Sequence, residues 1–392
     1  MDKNRSGRIV IQFFSLLRSG LWGKQPDLTL FSNETDWKPI LGMAQRQTVL
    51  GVVLDGVSGL PGELQPDKPT LLKAHTYIVR TAQHHRLLDD VIKELCARLN
   101  KVGIRSVLLK GQGLARNYPD PLKRTCGDID LYVGGSNYRR TCKLLKQWGM
   151  LEGEHEESIL HLHFDYRKVP VEIHRIAGVL YGLFRNRRFR IWSDSLLQGD
   201  DCREMDFNGQ TVLLPPVRFD TMFVFYHMYR HLITGGVGLR QLCDWVMYLH
   251  QFRNEIDHGL LHKDLCDMGL MRAWQVFGCI AVNQLGLPQE EFPFYSNVKE
   301  AEETSLFLLE EVILRNGNFG FYNPDRGKRP DGYLAGKFFS LKNTLDYLRK
   351  MYRIFGGETW SFFAFYLFRG IGNVLKDVFR GRRNLKEKEK YE

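Results

Sequence analysis

The stretch Arg124-Thr125-Cys126-Gly127-Asp128-Ile129-Asp130-Leu131 decides how this chain is read. Ile129, Leu131 and Val133 alternate with Asp128 and Asp130, the period of two that a half-buried β-strand imposes on its side chains. Both acids therefore project from one face. Two carboxylates held side by side repel, take up a proton or share a cation. A hard divalent ion with oxygen ligands is the natural partner of such a pair. Taken alone the pattern says little, because many Asp-x-Asp pairs sit in solvated turns.

The surroundings sharpen it. Upstream, Ile104 to Leu109 is a short aliphatic run ended by Lys110-Gly111, and a helix from Gln112 to Tyr118 stops at Pro119. Downstream, Ser136 is placed to cap a helix to about Trp148. Two strands follow, over roughly 160–168 and 170–175, joined at Val169-Pro170. On the second, Glu172 and His174 share one face while Val171 and Ile173 take the other. A third carboxylate beside Asp128 and Asp130 suits one or two magnesium ions, which bridge a triphosphate and activate an acceptor hydroxyl. Gly111 lets backbone N–H groups approach a phosphate at a helix N-terminus, and Lys110 and Arg124 add fixed positive charge. His174 reads either as a group that orients a ligand or contacts a base, or as an ordinary strand histidine. His161 and His163, with Glu172 and His174, offer the donors of a transition-metal site as an alternative.

Leu109-Lys110-Gly111, Tyr118-Pro119, Arg124, Asp128-Ile129-Asp130-Leu131 and Glu172-Ile173-His174 together resemble the pattern of the bacterial family of uncharacterised nucleotidyltransferases. The resemblance covers about residues 10–320. With the periodicities above, it implies an α+β protein: a small mixed β-sheet nucleotidyltransferase core flanked by N-terminal helices and a C-terminal helical domain. The expected divisions are a helical segment (1–100), the core (101–215), a helical domain (216–320), and a loop with a basic amphipathic tail (321–392). The resemblance further implies transfer of a nucleoside monophosphate from an NTP, ATP included, to an acceptor, with release of pyrophosphate. Asp128, Asp130 and Glu172 are then the catalytic and metal-binding acids for Mg2+ or Mn2+. Lys110, Gly111, Arg124 and His174 fall to the nucleotide. The wider superfamily has Gly or Ser after the glycine where this chain has Gln112. The acceptor is left open among a sugar, a small molecule, a protein side chain and an RNA end.

Composition narrows the class. The chain of 392 residues is 43% hydrophobic and 12% aromatic, which excludes a disordered chain. A formal charge of +10 favours polyanionic partners: nucleotides, nucleic acid or a membrane surface. The seven cysteines are scattered and never form C-x-x-C, so neither a disulfide framework nor a zinc ribbon is read, and a reducing compartment fits. With no signal peptide and no transmembrane run, the expected location is the cytoplasm.

Helical patterns flank the core on both sides: an apolar stripe from Ile9 to Leu17, a second helix through Trp37 to Val49, and a third over roughly 70–100. A strand is expected over 210–214, then helices from Pro216 to about 315, then a loop at Asn316-Gly317-Asn318 and Asn323-Pro324-Asp325. His227 and His231 lie four apart without the metalloprotease glutamate and read as helix-packing residues. Arg240 and Asp244, also four apart, read as a helix ion pair, with a ligand role left open. The tail carries Trp360, Phe362, Phe363, Phe365 and Phe368, then Arg369, Lys376, Arg380, Arg382 and Arg383. It reads as a peripheral membrane contact or as a helix docked on the core. Lys386 to Lys390 reads as a solvated end.

Two rival functions stand beside transfer: a non-catalytic nucleotide-binding scaffold or sensor, and an Asp-x-Asp glycosyltransferase. The second needs a nucleotide-binding βα sheet before residue 90, where the sequence reads as helices.

Overall fold

The structure is a computed structural model describing residues 3–151, 155–296, 298–318, 322 and 330–368. Helices come first: α1 (Lys3–Trp22), α2 (Trp37–Arg46), α3 (Leu50–Ser58) and α4 (Lys68–Lys101). α4 starts where the Asp67 side chain accepts from the Thr70 N–H at 2.9 Å, with Pro69 in its first turn. Its stripe Leu88, Val91, Ile92, Leu95 and Leu99 is buried. α1 and α3 meet backbone to backbone. A Cβ on Gly20 would overlap the Val52 carbonyl, and one on Gly56 the Leu16 carbonyl.

The sheet follows: β1 (Val107–Leu109), α5 (Gly111–Ala115), β2 (Ile129–Tyr132), α6 (Gly134–Gln147), β3 (His155–Glu157), β4 (His161–Tyr166), β5 (Val169–His174), α7 (Leu183–Gln198), β6 (Arg203–Phe207) and β7 (Gln210–Leu214). The seven strands lie in the order β3-β4-β5-β2-β1-β7-β6. β2 with β5 and β1 with β7 are parallel, and the other neighbours antiparallel. The fold is therefore α+β with a mixed sheet. Among the described residues no strand precedes β1. The sheet that a glycosyltransferase would need before residue 90 is not there.

Alternation along the strands gives the sheet two unlike faces. Leu108, Ile129, Leu131, Leu162, Phe164, Val171, Ile173 and Val212 pack with α4 and with Tyr138 and Leu145 of α6. Asp130, Glu172 and His174 take the opposite face, toward α8 (Val217–Thr234) and α9 (Leu239–Phe252). Then come α10 (His258–Met268), α11 (Met271–Asn283), α12 (Lys299–Phe307), a π-helical turn (Leu308–Leu314) and α13 (Tyr333–Phe355). A second core joins α1 and α3 to α8, α9 and α11. Hydrogen bonds also tie the N-terminal helices to the C-terminal half of the chain. Trp22 Nε1 donates to the Leu285 carbonyl at 2.7 Å, and Gln47 Nε2 to the Ile313 carbonyl at 2.7 Å.

Several boundaries differ from the sequence reading. β1 begins at Val107 because the Ile104 N–H bonds back to the Leu99 carbonyl at 2.9 Å, closing the end of α4. α5 is shorter than expected because the N–H groups of Asn117 and Tyr118 turn to the carbonyls three residues back, ahead of Pro119. α6 starts at Gly134, whose φ is +76°, and Ser136 lies inside it. β3, α7 and β6 have no counterpart in the sequence reading.

The described tail is helical over 357–368, with Phe362 buried against Tyr181 at a ring distance of 4.7 Å. Trp360, Phe365 and Phe368 are exposed. Arg369, Lys376, Arg380, Arg382 and Arg383, the run Lys386 to Lys390, and the loop residues Asn323-Pro324-Asp325 lie outside the described residues. Among the described residues no helix is long and apolar enough to cross a membrane. All seven cysteines are free thiols.

Candidate active site

Beyond Leu109 the chain turns sharply. Lys110 has φ 52° and ψ −142°, a region that L-residues seldom occupy, and Gly111 follows with φ +47°. An added Cβ on Gly111 would sit 3.3 Å from the Asp128 carbonyl, so this turn lies directly against the start of β2. The turn opens α5 and brings the Lys110 ammonium over the sheet. Its Nζ lies 3.2 Å from Asp130 Oδ2 and 2.9 Å from His227 Nε2.

Strand register assembles the rest. Asp130 stands beside Glu172 across β2 and β5, and His161 beside His174 across β4 and β5. His174 Nε2 lies 2.8 Å from Asp130 Oδ1 and 3.1 Å from Glu172 Oε2. His161 Nδ1 lies 3.3 Å from the same glutamate oxygen but without hydrogen-bond geometry, so it remains a buried nitrogen lacking a partner. His163 Nδ1 is 3.6 Å from Glu172 Oε1. Asp128 precedes β2, exposed at the rim. The structure thus brings Lys110, Gly111, Asp130, Glu172 and His174 together, with Asp128 at the edge.

Burial acts against the charge of Glu172. The hydrogen bond from His174 and the positive field of His174, Lys110 and His161 outweigh it and hold the carboxyl at about 2. Burial also acts against a charged His174, but its bonds to Asp130 and Glu172 prevail and raise its pKa above the ordinary value. Across the cleft the balance reverses. Burial, then the Lys110 charge, press His231 down to about 3 and His227 well below its usual range.

Arg124 faces the cleft from behind. Its Nε and Nη2 reach Asp244 Oδ1 and Oδ2 at 2.9 and 2.7 Å, the fork geometry of a bidentate pair. Tyr118 donates to Asp244 Oδ1 at 2.8 Å. Arg240 Nη1 donates to the Thr125 carbonyl at 2.8 Å, and its buried Nε has no hydrogen-bond partner. The expected pair between Arg240 and Asp244 is therefore replaced. Both residues reach instead for the loop before β2, Asp244 to the Arg124 guanidinium and Arg240 to the Thr125 carbonyl.

The resulting cleft holds about 270 Å³, near the lower end for small-ligand sites. One side carries the acids and His161. The other carries His227, Arg230, His231 and Thr234 of α8 with Arg240 of α9. Sequence reasoning gave His227 and His231 only a packing role and did not single out Arg230. The available signal was their spacing, since 227, 230, 231 and 234 fall on one helical face. The donor set fits a divalent cation: Glu172 is held anionic, Asp130 adjoins it, and the rings of His161 and His174 stand alongside, each with a buried Nδ1 lacking a hydrogen-bond partner.

A family model described as "Uncharacterised nucleotidyltransferase" matches residues 33–285. Among solved structures, the crystal structure of an antigenic nucleotidyltransferase-like protein from Paracoccidioides brasiliensis is similar at 17% identity. That similarity spans 47% of this chain and 88% of the other, with a TM-score of 0.32. No curated protein matches the chain.

Proposed function

We propose a reaction from one premise: the chain belongs to the uncharacterised nucleotidyltransferase family. The reaction is transfer of a nucleoside monophosphate from an NTP to an acceptor hydroxyl or phosphate, releasing pyrophosphate, in the cytoplasm. The observation that carries it is the juxtaposition of Asp130 and Glu172 across β2 and β5, beside the helix opened by Lys110-Gly111.

In this reading Asp128, Asp130 and Glu172 hold Mg2+ or Mn2+. The cation, when bound, neutralises triphosphate oxygens and activates the acceptor oxygen. The chain's own residues position and neutralise. Lys110 and the backbone N–H groups after Gly111 receive phosphate oxygens, as a helix N-terminus favours. Arg230 and Arg240 add positive charge from the opposite wall. Arg124 acts through Asp244, fixing the loop before β2 against α9. The acceptor oxygen attacks the α-phosphorus, the bond to the bridging β-phosphate oxygen breaks, and pyrophosphate leaves with that electron pair. The acceptor proton passes to solvent. Glu172, anionic down to about pH 2, serves as a steady ligand and is too weak a base to take that proton at neutral pH.

The test is calorimetry with ATP, GTP, CTP and UTP in turn, with Mg2+, on wild type, Asp128→Asn and Asp128→Asn/Asp130→Asn. Metal-dependent binding of at least one NTP, weakened in the single variant and lost in the double, is the expected result. No binding to wild type, or equal binding by the double variant, sinks the proposal. Pyrophosphate release with a panel of acceptors then separates turnover from binding alone.

A further inference from the structure

The imidazoles of the cleft go beyond what a magnesium site requires. Mg2+ takes oxygen ligands and keeps most of its waters. Here His161, Glu172 and His174 each present one donor atom, and the three lie within 4.8 Å of one another, close to the spread that ligands of one ion span. They come from neighbouring strands whose register sets His161 directly beside His174. The rings meet edge to face at 4.9 Å.

Two nitrogens mark the cluster as unfinished. His161 Nδ1 and His174 Nδ1 are both buried without a hydrogen-bond partner, although His174 is only 5% exposed. Buried polar atoms in folded proteins are nearly always bonded, so two orphans on adjacent rings call for a ligand. An ordinary neutralising role for His174 between Asp130 and Glu172 accounts for its Nε2. It leaves both Nδ1 atoms unexplained. A carboxylate on one ring nitrogen also orients a histidine whose other nitrogen binds metal, and Asp130 stands where it can do that for His174.

We propose that His161, Glu172 and His174 form a mixed nitrogen–oxygen metal site that takes a divalent first-row transition ion in preference to Mg2+. Imidazole donors favour such ions, and carboxylate alone does not exclude magnesium. Asp130 positions His174 and adjoins the ion. The inference deepens the metal-dependent reading of the cleft and rests on it for a catalytic role. Its test needs no nucleotide.

The experiment uses tag-free full-length protein and the metals alone. Co2+ and Mg2+ are titrated separately by calorimetry, with Co2+ also followed by its visible absorption, and the Mn2+ form is examined by pulsed EPR. The expected results are one equivalent of Co2+ bound at least about tenfold tighter than Mg2+, and nitrogen hyperfine coupling on Mn2+. His161→Asn should weaken Co2+ binding by about tenfold or more and change its spectrum. His163→Asn, which alters a more exposed neighbour, should do neither. Equal Co2+ and Mg2+ affinities, absent nitrogen coupling, or an unchanged Co2+ spectrum in His161→Asn overturns the site. If His161→Asn does not fold, the wild-type affinity ratio and the nitrogen coupling decide. Nitrogen-ligated metal binding without any NTP binding would uphold the site and reject the transfer reaction.

Discussion

At the scale of the residue, the cleft depends on charges that cannot be removed singly. The Arg124 and Asp244 side chains are 5% and 6% exposed and joined by two hydrogen bonds. Removing one partner leaves the other charged and buried. Arg124→Met is therefore expected to lower unfolding free energy by about 3–5 kcal/mol, read from urea denaturation midpoints. A loss below about 1 kcal/mol would place the pair with ordinary surface bridges. Lys110 adds backbone strain to its charge. Its φ of 52° suits glycine, so Lys110→Gly should be more stable than Lys110→Ala by about 1 kcal/mol or more. Both variants lose the cation and should bind NTP weakly.

Protons act on the same wall. His231 is held at about 3 in the fold, far below the ordinary imidazole value of about 6.5, and His227 is lowered too. Between those values the unfolded chain binds the proton and the folded chain does not, so stability rises with pH. The contribution is complete above about 6.5 and is lost as pH falls toward 3. His231→Asn should flatten that part of the stability–pH curve, measured by thermal unfolding in matched buffers. An unchanged slope would mean that the imidazole is solvated. That Asp130, Glu172 and His174 share one face was legible because a period of two along strands leaves few faces to choose from, whereas Asp128 precedes β2 and lies at the rim. Arg230 and His231 were not. α8 buries Phe219, Met222, Phe223, Phe225, Tyr226 and Tyr229, with Asp220 and Thr221 buried too, and a helix buried on most sides does not announce which of its polar positions meets a cleft.

At the scale of the element, β2, β4, β5 and β7 were readable because each alternates cleanly or ends at a turn residue. β3 and β6 were not. His155–Glu157 has no apolar residue, and Arg203–Phe207 is an edge strand paired on one side by β7. α7 hides for another reason: its arginines at 185, 187, 188 and 190 interrupt the apolar stripe. The contact of α1 with α3 was also beyond sequence pattern, because glycine at a close approach looks like glycine in a turn. It gives a clear expectation. Gly20→Ala and Gly56→Ala each press a methyl group onto a carbonyl oxygen and should cost about 1–3 kcal/mol. Gly62→Ala, where a Cβ meets nothing within 4 Å, should stay within about 0.5 kcal/mol. Thermal midpoints of the three variants check this, and equal midpoints would show that the helices slide apart freely.

At the scale of the molecule, the sheet divides two cores, and the cleft lies where its polar face meets α8 and α9. A ligand in the cleft touches both layers, so it should stabilise the whole fold and not one half. Saturation with a bound nucleotide or metal at a hundred times its dissociation constant raises stability by about 2.7 kcal/mol. Differential scanning calorimetry should show one transition moving upward; two transitions with only one moving would mean that the cores melt independently. The net charge of +10 pointed to anionic partners but gave no location within the fold.

The hydrogen bonds from Trp22 to Leu285 and from Gln47 to Ile313 also set a schedule. They span 263 and 266 residues of sequence. On a ribosome, Phe13, Phe14, Leu16 and Leu17 emerge long before the helices that cover them, and β1 waits for Leu213 before its second edge is paired. Nascent chains that have not yet passed residue 285 should therefore carry a sticky N-terminal surface, a period in which the cell's folding helpers have most to do.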